Sequence, residues 1–181
     1  MRIYRENCAA VLIDVQSKLF PHISDNEKLE SNISILIRGL QVLDLPILIT
    51  QQYTRGIGDT IESLKSLFGE EFNHIEKAEF SCMENVDFQA EFMGLSKDHL
   101  IIFGIESHVC VLQTVLDTIE MGYMPVLVED CVSSRNPNDK RMAVERARNE
   151  GAIVTTYESL LFELTRISGT EEFKAISKIV K

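Results

Sequence analysis

Short uninterrupted apolar runs recur along the chain, and between them apolar residues return at every third or fourth position. Residues 8–13 (CAAVLI), 47–50, 100–103, 125–129 and 152–155 have the length and branched side chains of buried strands. Leu29, Ile33, Leu36, Ile37, Leu40 and Leu43 keep a period of about 3.6 residues, which predicts a helix over residues 25–44 that Pro46 ends. Residues 51–59 (QQYTRGIGD) predict a polar loop, 61–68 a short helix, 75–81 a short strand, and 87–93 a helix stopped at Gly94. Asn136 before Pro137 marks an N-cap and first helical residue, opening a helix that runs to about Glu150 before Gly151. Residues 158–167 and 171–180 predict two final helices, the last with an apolar stripe of Phe173, Ile176 and Val180 that docks on the domain or on another subunit.

Strands that alternate with helices predict a mainly parallel sheet covered on both faces, with right-handed crossovers. The fold class is α/β: a single three-layer α/β/α domain, Rossmann-like in outline, over residues 1–181. No internal repeat or linker divides it. Ligand chemistry in such sheets gathers at the carboxyl ends of the strands. That rule selects Asp14 after the first strand, Lys77 in the short third one, Cys110 after the fourth, and Asp130 and Arg135 after the fifth.

The stretch from His99 to Met121 holds the most chemistry. An apolar run passes through Gly104 into a helical pattern carried by Val109, Leu112, Val115, Leu116 and Ile119, which Gly122 closes. Ser107 as N-cap makes Cys110 the third helical residue, where free backbone N–H groups and the helix dipole favour thiolate. A thiol in a first helical turn is otherwise an ordinary small buried side chain. Together with Asp14 and Lys77, however, it makes a hydrolytic set: the carboxylate takes the thiol proton, and the ammonium favours the charged carboxylate and steadies developing negative charge. His108 lies two residues before Cys110, a spacing that does not share a helix face, so it is read as a pocket residue.

Charge and composition narrow the partners. A formal net charge of -10 argues against nucleic acid or an anionic membrane as the main partner, and with it against a nuclease. No apolar run approaches the roughly 18 residues of a membrane span. The four cysteines form no C-x-x-C pair and no secretory signal opens the chain, which predicts reduced thiols in the cytoplasm. His22, His74 and His99 lack partners at metal-ligand spacing, and Gly56-Ile57-Gly58 is too short for a phosphate-binding fingerprint. Neither a metal nor a cofactor is expected.

Leu12-Ile13-Asp14-Val15-Gln16, the segment around Lys77, and Gly104 to Val111 (GIESHVCV) together resemble the isochorismatase-like superfamily of cysteine hydrolases. Tyr53-Thr54-Arg55-Gly56, Glu76-Lys77 with Phe80-Ser81, and Ser133-Ser134-Arg135 look most like its isochorismatase domain-containing subgroup. The resemblance implies Cys110 as nucleophile, Asp14 as general base and Lys77 as third member of a triad. It also implies a cis peptide between Ile105 and Glu106, with the backbone N–H groups of Glu106 and Cys110 as an oxyanion hole. The implied reaction is cleavage of an amide-like C–N bond of a small molecule through a Cys110 thioester. Gln16, Phe20, Gln51, Tyr53, Arg55, His108 and Arg135 are the substrate-binding candidates, the two arginines as carboxylate binders. Nicotinamidases of the superfamily carry an Asp/His metal cluster where this chain has Gln51-Gln52-Tyr53-Thr54, so metal-assisted nicotinamide binding is not expected. The relatives imply a homo-oligomer. The alternative function is a scaffold that keeps the pocket without turnover. A Cys110 that alkylates well below pH 8, faster than the other cysteines, is the expectation that favours the enzyme.

Overall fold

A computed structural model describes residues 1–181. Six parallel strands form one sheet in the order β3-β2-β1-β4-β5-β6. These are β1 (Cys8–Ile13), β2 (Ile47–Gln52), β3 (Ile75–Lys77), β4 (His99–Ile105), β5 (Met124–Ser133) and β6 (Ile153–Thr155). Every residue of β1 and β4 is buried, because strands at the centre of a covered parallel sheet have no wet face. One face packs on α1 (Asn26–Val42), α7 (Tyr157–Thr165) and α8 (Glu171–Ile179), around Leu36, Leu40, Leu161 and Ile176. The other packs on α4 (Val86–Gly94), α5 (Leu112–Glu120) and α6 (Pro137–Asn149), around Phe88, Phe92 and Val115. The apolar stripe of α8 therefore docks on its own chain: Ile176 is buried and the Phe173 ring lies 6.1 Å from that of Phe162.

The chain builds β1, β2 and β3 outward in one direction, then returns to lay β4 against the other side of β1. The crevice at this reversal opens over the carboxyl ends of β1 and β4, where such folds hold their ligands. Several boundaries differ from the sequence reading. β2 continues through Gln51 and Gln52, since these pair with Glu76 and Lys77 of β3, so the polar loop starts two residues later and contains α2 (Thr54–Ile57). The predicted helix at 61–68 is shorter, α3 (Glu62–Lys65). β5 runs on to Ser133, which places Asp130 inside the strand, its Oδ1 accepting the Tyr157 N–H at 2.9 Å at the start of α7. Gly94 is the last residue of α4, and it is Ser96, with φ 54, that takes the left-handed turn. Asn136 caps α6 as predicted, accepting the Asn138 N–H at 2.9 Å with Pro137 first in the helix.

Candidate active site

Three strand ends and one helix entry converge on the crevice. Asp14 follows β1 in the left-handed region, φ 49, a conformation Asp tolerates better than most residues. This turns its carboxylate back toward β2 and β3. Lys77, the last residue of β3, donates from Nζ to Asp14 Oδ2 at 2.6 Å, and Thr50 of β2 donates to Asp14 Oδ1 at 2.8 Å. The Lys77 ammonium also donates to the carbonyls of Glu79 and Phe80 at 3.1 and 3.2 Å, so its three donors are all engaged. Both side chains of the pair are buried. Burial pulls the Lys77 ammonium down, but the charge of Asp14 and the nearby thiols Cys82 and Cys110 outweigh it, and the balance lies above the ordinary value.

Cys110 reaches the crevice through Gly104. There φ is +121 and an added Cβ would stand 2.2 Å from the carbonyl oxygen of Ile13, so only glycine lets β4 press this close to the end of β1. The Ile105–Glu106 peptide is cis. A wide helical turn, Ser107–Val111, then precedes α5, and the Glu106 carbonyl accepts from the N–H groups of both Val109 and Val111 at 3.1 and 3.2 Å. The N-cap position is thus Glu106, not Ser107, whose hydroxyl is buried without a partner.

The Cys110 thiol is 4 % exposed and its Sγ lies 3.5 Å from Gln52 Oε1. Burial pushes its pKa up from the ordinary value, the Asp14 carboxylate pushes it further, and Lys77 only partly opposes them. The thiolate expected from the helix end is therefore not the resting form. A helix end carries about half a charge, less than the whole charge of a carboxylate in a dry site. Cys82, behind the ion pair with Sγ 3.9 Å from Thr50 Oγ1, is likewise pushed up by burial, then by Asp14, to about 11.

A cavity of about 260 Å³ opens over the thiol, with Asp14, Gln52 and Cys110 beside apolar Leu19, Ile57 and Phe80. Gln16, Glu106 and Arg135 line it too. The Arg135 Nε donates to Glu106 Oε1 at 3.0 Å, so this arginine already holds a carboxylate of its own chain. Gln16 is fully buried and its amide is engaged: Nε2 donates to the carbonyls of Gln52 and Gly58 at 3.0 and 2.6 Å, and Oε1 accepts the Gln52 N–H at 2.8 Å.

The remaining candidates do not line the cavity. Gln51 points to the other side of β2, hydrogen-bonded to Asp59, Thr60 and Thr54. Phe20 belongs to the core under α1. Tyr53 and Arg55 are exposed at α2. His108 is hydrogen-bonded from Nδ1 to Ser134 Oγ at 2.9 Å, with Asp139 4.0 Å from Nε2. Thr50 and Gln52 are the site residues that sequence reasoning missed. Continuing the two-residue period of β2 past Thr50 would have put Gln52, and not Gln51, beside it. No group of three or more His, Cys, Asp or Glu side chains is gathered as a metal site, and no helix is long and apolar enough to cross a membrane.

Comparison with known proteins adds to this geometry. A family model described as "Isochorismatase domain" matches residues 8–159. "Isochorismatase family protein 1B" of Dictyostelium discoideum is 37% identical, over 99% of this chain and 89% of its own. "Isochorismatase domain-containing protein 2A" of Mus musculus is 34% identical, over 99% and 85%. Among solved structures, one described as MAR1 ribonuclease from Caenorhabditis elegans superposes with a TM-score of 0.92 at 32% identity, covering 99% of this chain and 92% of that one. YcaC from Pseudomonas aeruginosa, solved with hexane-2,5-diol and covalent acrylamide, gives 0.90 at 25% identity, covering 98% and 91%.

Proposed function

The chain belongs to the isochorismatase-domain family, and from that premise and the buried Asp14–Lys77–Cys110 cluster we propose that it is a cysteine hydrolase cleaving an amide-like C–N bond of a small molecule. The observation that carries this reading is a thiol that lines the same cavity as a buried carboxylate, which an ammonium holds at 2.6 Å. When the thiol proton passes to Asp14, the negative charge that disfavoured thiolate disappears in the same step, and Lys77 faces the new charge on sulfur. Sulfur attacks the carbonyl carbon. The oxyanion is held by the backbone N–H groups of Glu106 and Cys110, one such donor typically contributing about 3–4 kcal/mol. The C–N bond then breaks as Asp14 returns the proton to the departing amine, leaving a thioester. Water, losing a proton to Asp14, opens the thioester, and the proton returns to sulfur as the acid leaves.

Ammonia release from a panel of small amides and ureido compounds tests the reading, with Cys110→Ala and Asp14→Asn beside the parent chain. Loss of turnover in the first, and a fall of about 10²–10⁴-fold in the second, is expected; near-parental rates in either sink it. A scaffold without turnover is the outcome if no compound releases ammonia and no acyl adduct forms. Ribonuclease activity is a second reading, favoured by the description of the Caenorhabditis elegans structure. The net charge of -10 opposes it, because a polyanion gains nothing from an acidic surface. Incubation with labelled RNA separates the two. All four cysteines are free, which supports a reducing compartment and with it a cytoplasmic location. Tyr53 and Phe80, both more than half exposed near the cavity, support burial against a second copy in a homo-oligomer, for which light scattering is the test.

A further inference from the structure

Gln52 is held more rigidly than a side chain that merely borders a cavity needs to be. Its backbone N–H and C=O are both bound by the amide of Gln16, at 2.8 and 3.0 Å, as a neighbouring strand would bind them. Its own Nε2 donates to the Ala78 carbonyl at 3.2 Å, which fixes the amide so that Oε1 faces Cys110. The thiol hydrogen is shared between this oxygen and the Asp14 carboxylate, and in the reaction proposed above it leaves for Asp14. An acceptor stripped of its donor in a nearly dry site seeks another. The nearest source is a group bonded to the same carbonyl carbon that sulfur attacks. Of the cations here, Lys77 has all three donors engaged, with Asp14 and two carbonyls, whereas Arg135 gives only Nε to Glu106 and keeps both Nη groups free at the rim. Beside the sulfur itself a carboxylate therefore meets no free cation, whereas an N–H finds a waiting acceptor; a carboxylate further along the substrate has the Arg135 Nη groups to bind.

We infer that Gln52 selects the substrate, its Oε1 exchanging the Cys110 S–H for an N–H on the scissile carbonyl, so that the site takes compact primary or secondary carboxamides and disfavours esters and tertiary amides. The inference rests on the hydrolase reading for its biological meaning, but binding can be tested without turnover. A site built to bond a substrate N–H rejects analogues that lack it far more strongly than an apolar wall rejects one of a different size.

Acrylamide and N,N-dimethylacrylamide supply the test. Each alkylates a thiol by forming an S–C bond at its β-carbon while the proton ends on its α-carbon, and only the first carries N–H. Alkylation of Cys110 is followed by intact mass and peptide mapping, each rate divided by that of free glutathione. The parental chain should favour acrylamide by at least about tenfold, Gln52→Met should bring the ratio near one, and Gln52→Glu, which keeps the acceptor, should retain the preference while its charge moves alkylation to higher pH. A ratio near one in the parental chain, or a preference that survives Gln52→Met because bulk alone causes it, would overturn the inference. If Gln52→Met does not fold, N-methylacrylamide decides in the parental chain: it keeps one N–H while adding bulk, so a normalised rate near that of acrylamide is expected, and one near that of the dimethyl compound would overturn the inference. Failure of ammonia release from every amide, with the alkylation preference intact, would remove the hydrolase reading and leave the selection standing. Hydrolysis of amides and matching esters in the ratio of their uncatalysed rates, unchanged by Gln52→Met, would do the reverse.

Discussion

Removing the negative charge of Asp14 should move reactivity and turnover in opposite directions. The carboxylate raises the thiol while Lys77 lowers it, so Asp14→Asn takes away the term that holds the proton on sulfur and leaves the one that releases it. Alkylation of Cys110 by iodoacetamide at pH 7 to 8 should therefore be faster in Asp14→Asn than in the parental chain, even as amide turnover falls. A parallel loss of both would mean that sulfur attacks either carbon only as Asp14 takes its proton, and that the charge of Asp14 does not hold the resting thiol back. In the parental chain the same curve should climb without an inflection below the ordinary thiol value of about 9, because burial and Asp14 both push Cys110 upward. This replaces the low-pH reactivity expected from the sequence. The identity of Asp14, Lys77 and Cys110 was legible because each stands at or just beyond the end of an apolar run, where parallel sheets collect their chemistry. The protonation state of Cys110 was not. It depends on Asp14, 96 positions earlier in the chain, and on a turn that begins at Glu106 and leaves Ser107 uncapped.

At the scale of elements, the β1–β4 contact decides whether the cluster assembles. Ile13 pairs with Gly104, and the approach is close enough that a methyl group at residue 104 would meet the Ile13 carbonyl at 2.2 Å. Gly104→Ala must both adopt φ +121 and push two central strands apart. The backbone penalty alone exceeds about 1 kcal/mol, and the overlap adds to it, so a drop of several kcal/mol in urea-derived stability is expected. Stability within about 0.5 kcal/mol of the parental value would show that the strands separate freely there. The strands themselves were readable from their apolar runs, and α1 and α6 from period, proline and cap. Where prediction and structure part is at strand ends that turn polar: Gln51 and Gln52 look like loop residues, yet they complete β2 by pairing with Glu76 and Lys77. A polar strand end over a crevice is what a site requires, and it is also what hides the strand from a hydropathy pattern.

For the molecule as a whole, the two ends of the sheet answer differently to acid. The carboxyl ends carry the paired Asp14 and Lys77, whereas the amino end of β4 carries His99, buried between Cys8 and Met124 of the neighbouring strands with neither ring nitrogen hydrogen-bonded. Burial lowers the His99 pKa, only partly opposed by Asp98. The unfolded chain, in which this residue titrates near about 6.5, therefore binds more protons than the folded one over the interval between the two values. Stability rises with pH wherever that holds. The contribution of His99 is thus fully present above pH about 6.5 and is lost progressively as pH falls toward and through the lower, folded value. Relief of repulsion among the acidic groups behind the net charge of -10 works in the opposite sense as carboxylates protonate, so the slope of the parental chain alone does not isolate His99. The difference between the parental chain and His99→Leu does, because the substitution leaves every carboxylate in place. Urea midpoints at several pH values from 7.5 to 5 should show His99→Leu gaining on the parental chain as the solution becomes more acidic. Curves that stay parallel across that range would mean that His99 is accommodated equally well in both charge states, and acid sensitivity would then have to be sought at the ion pairs.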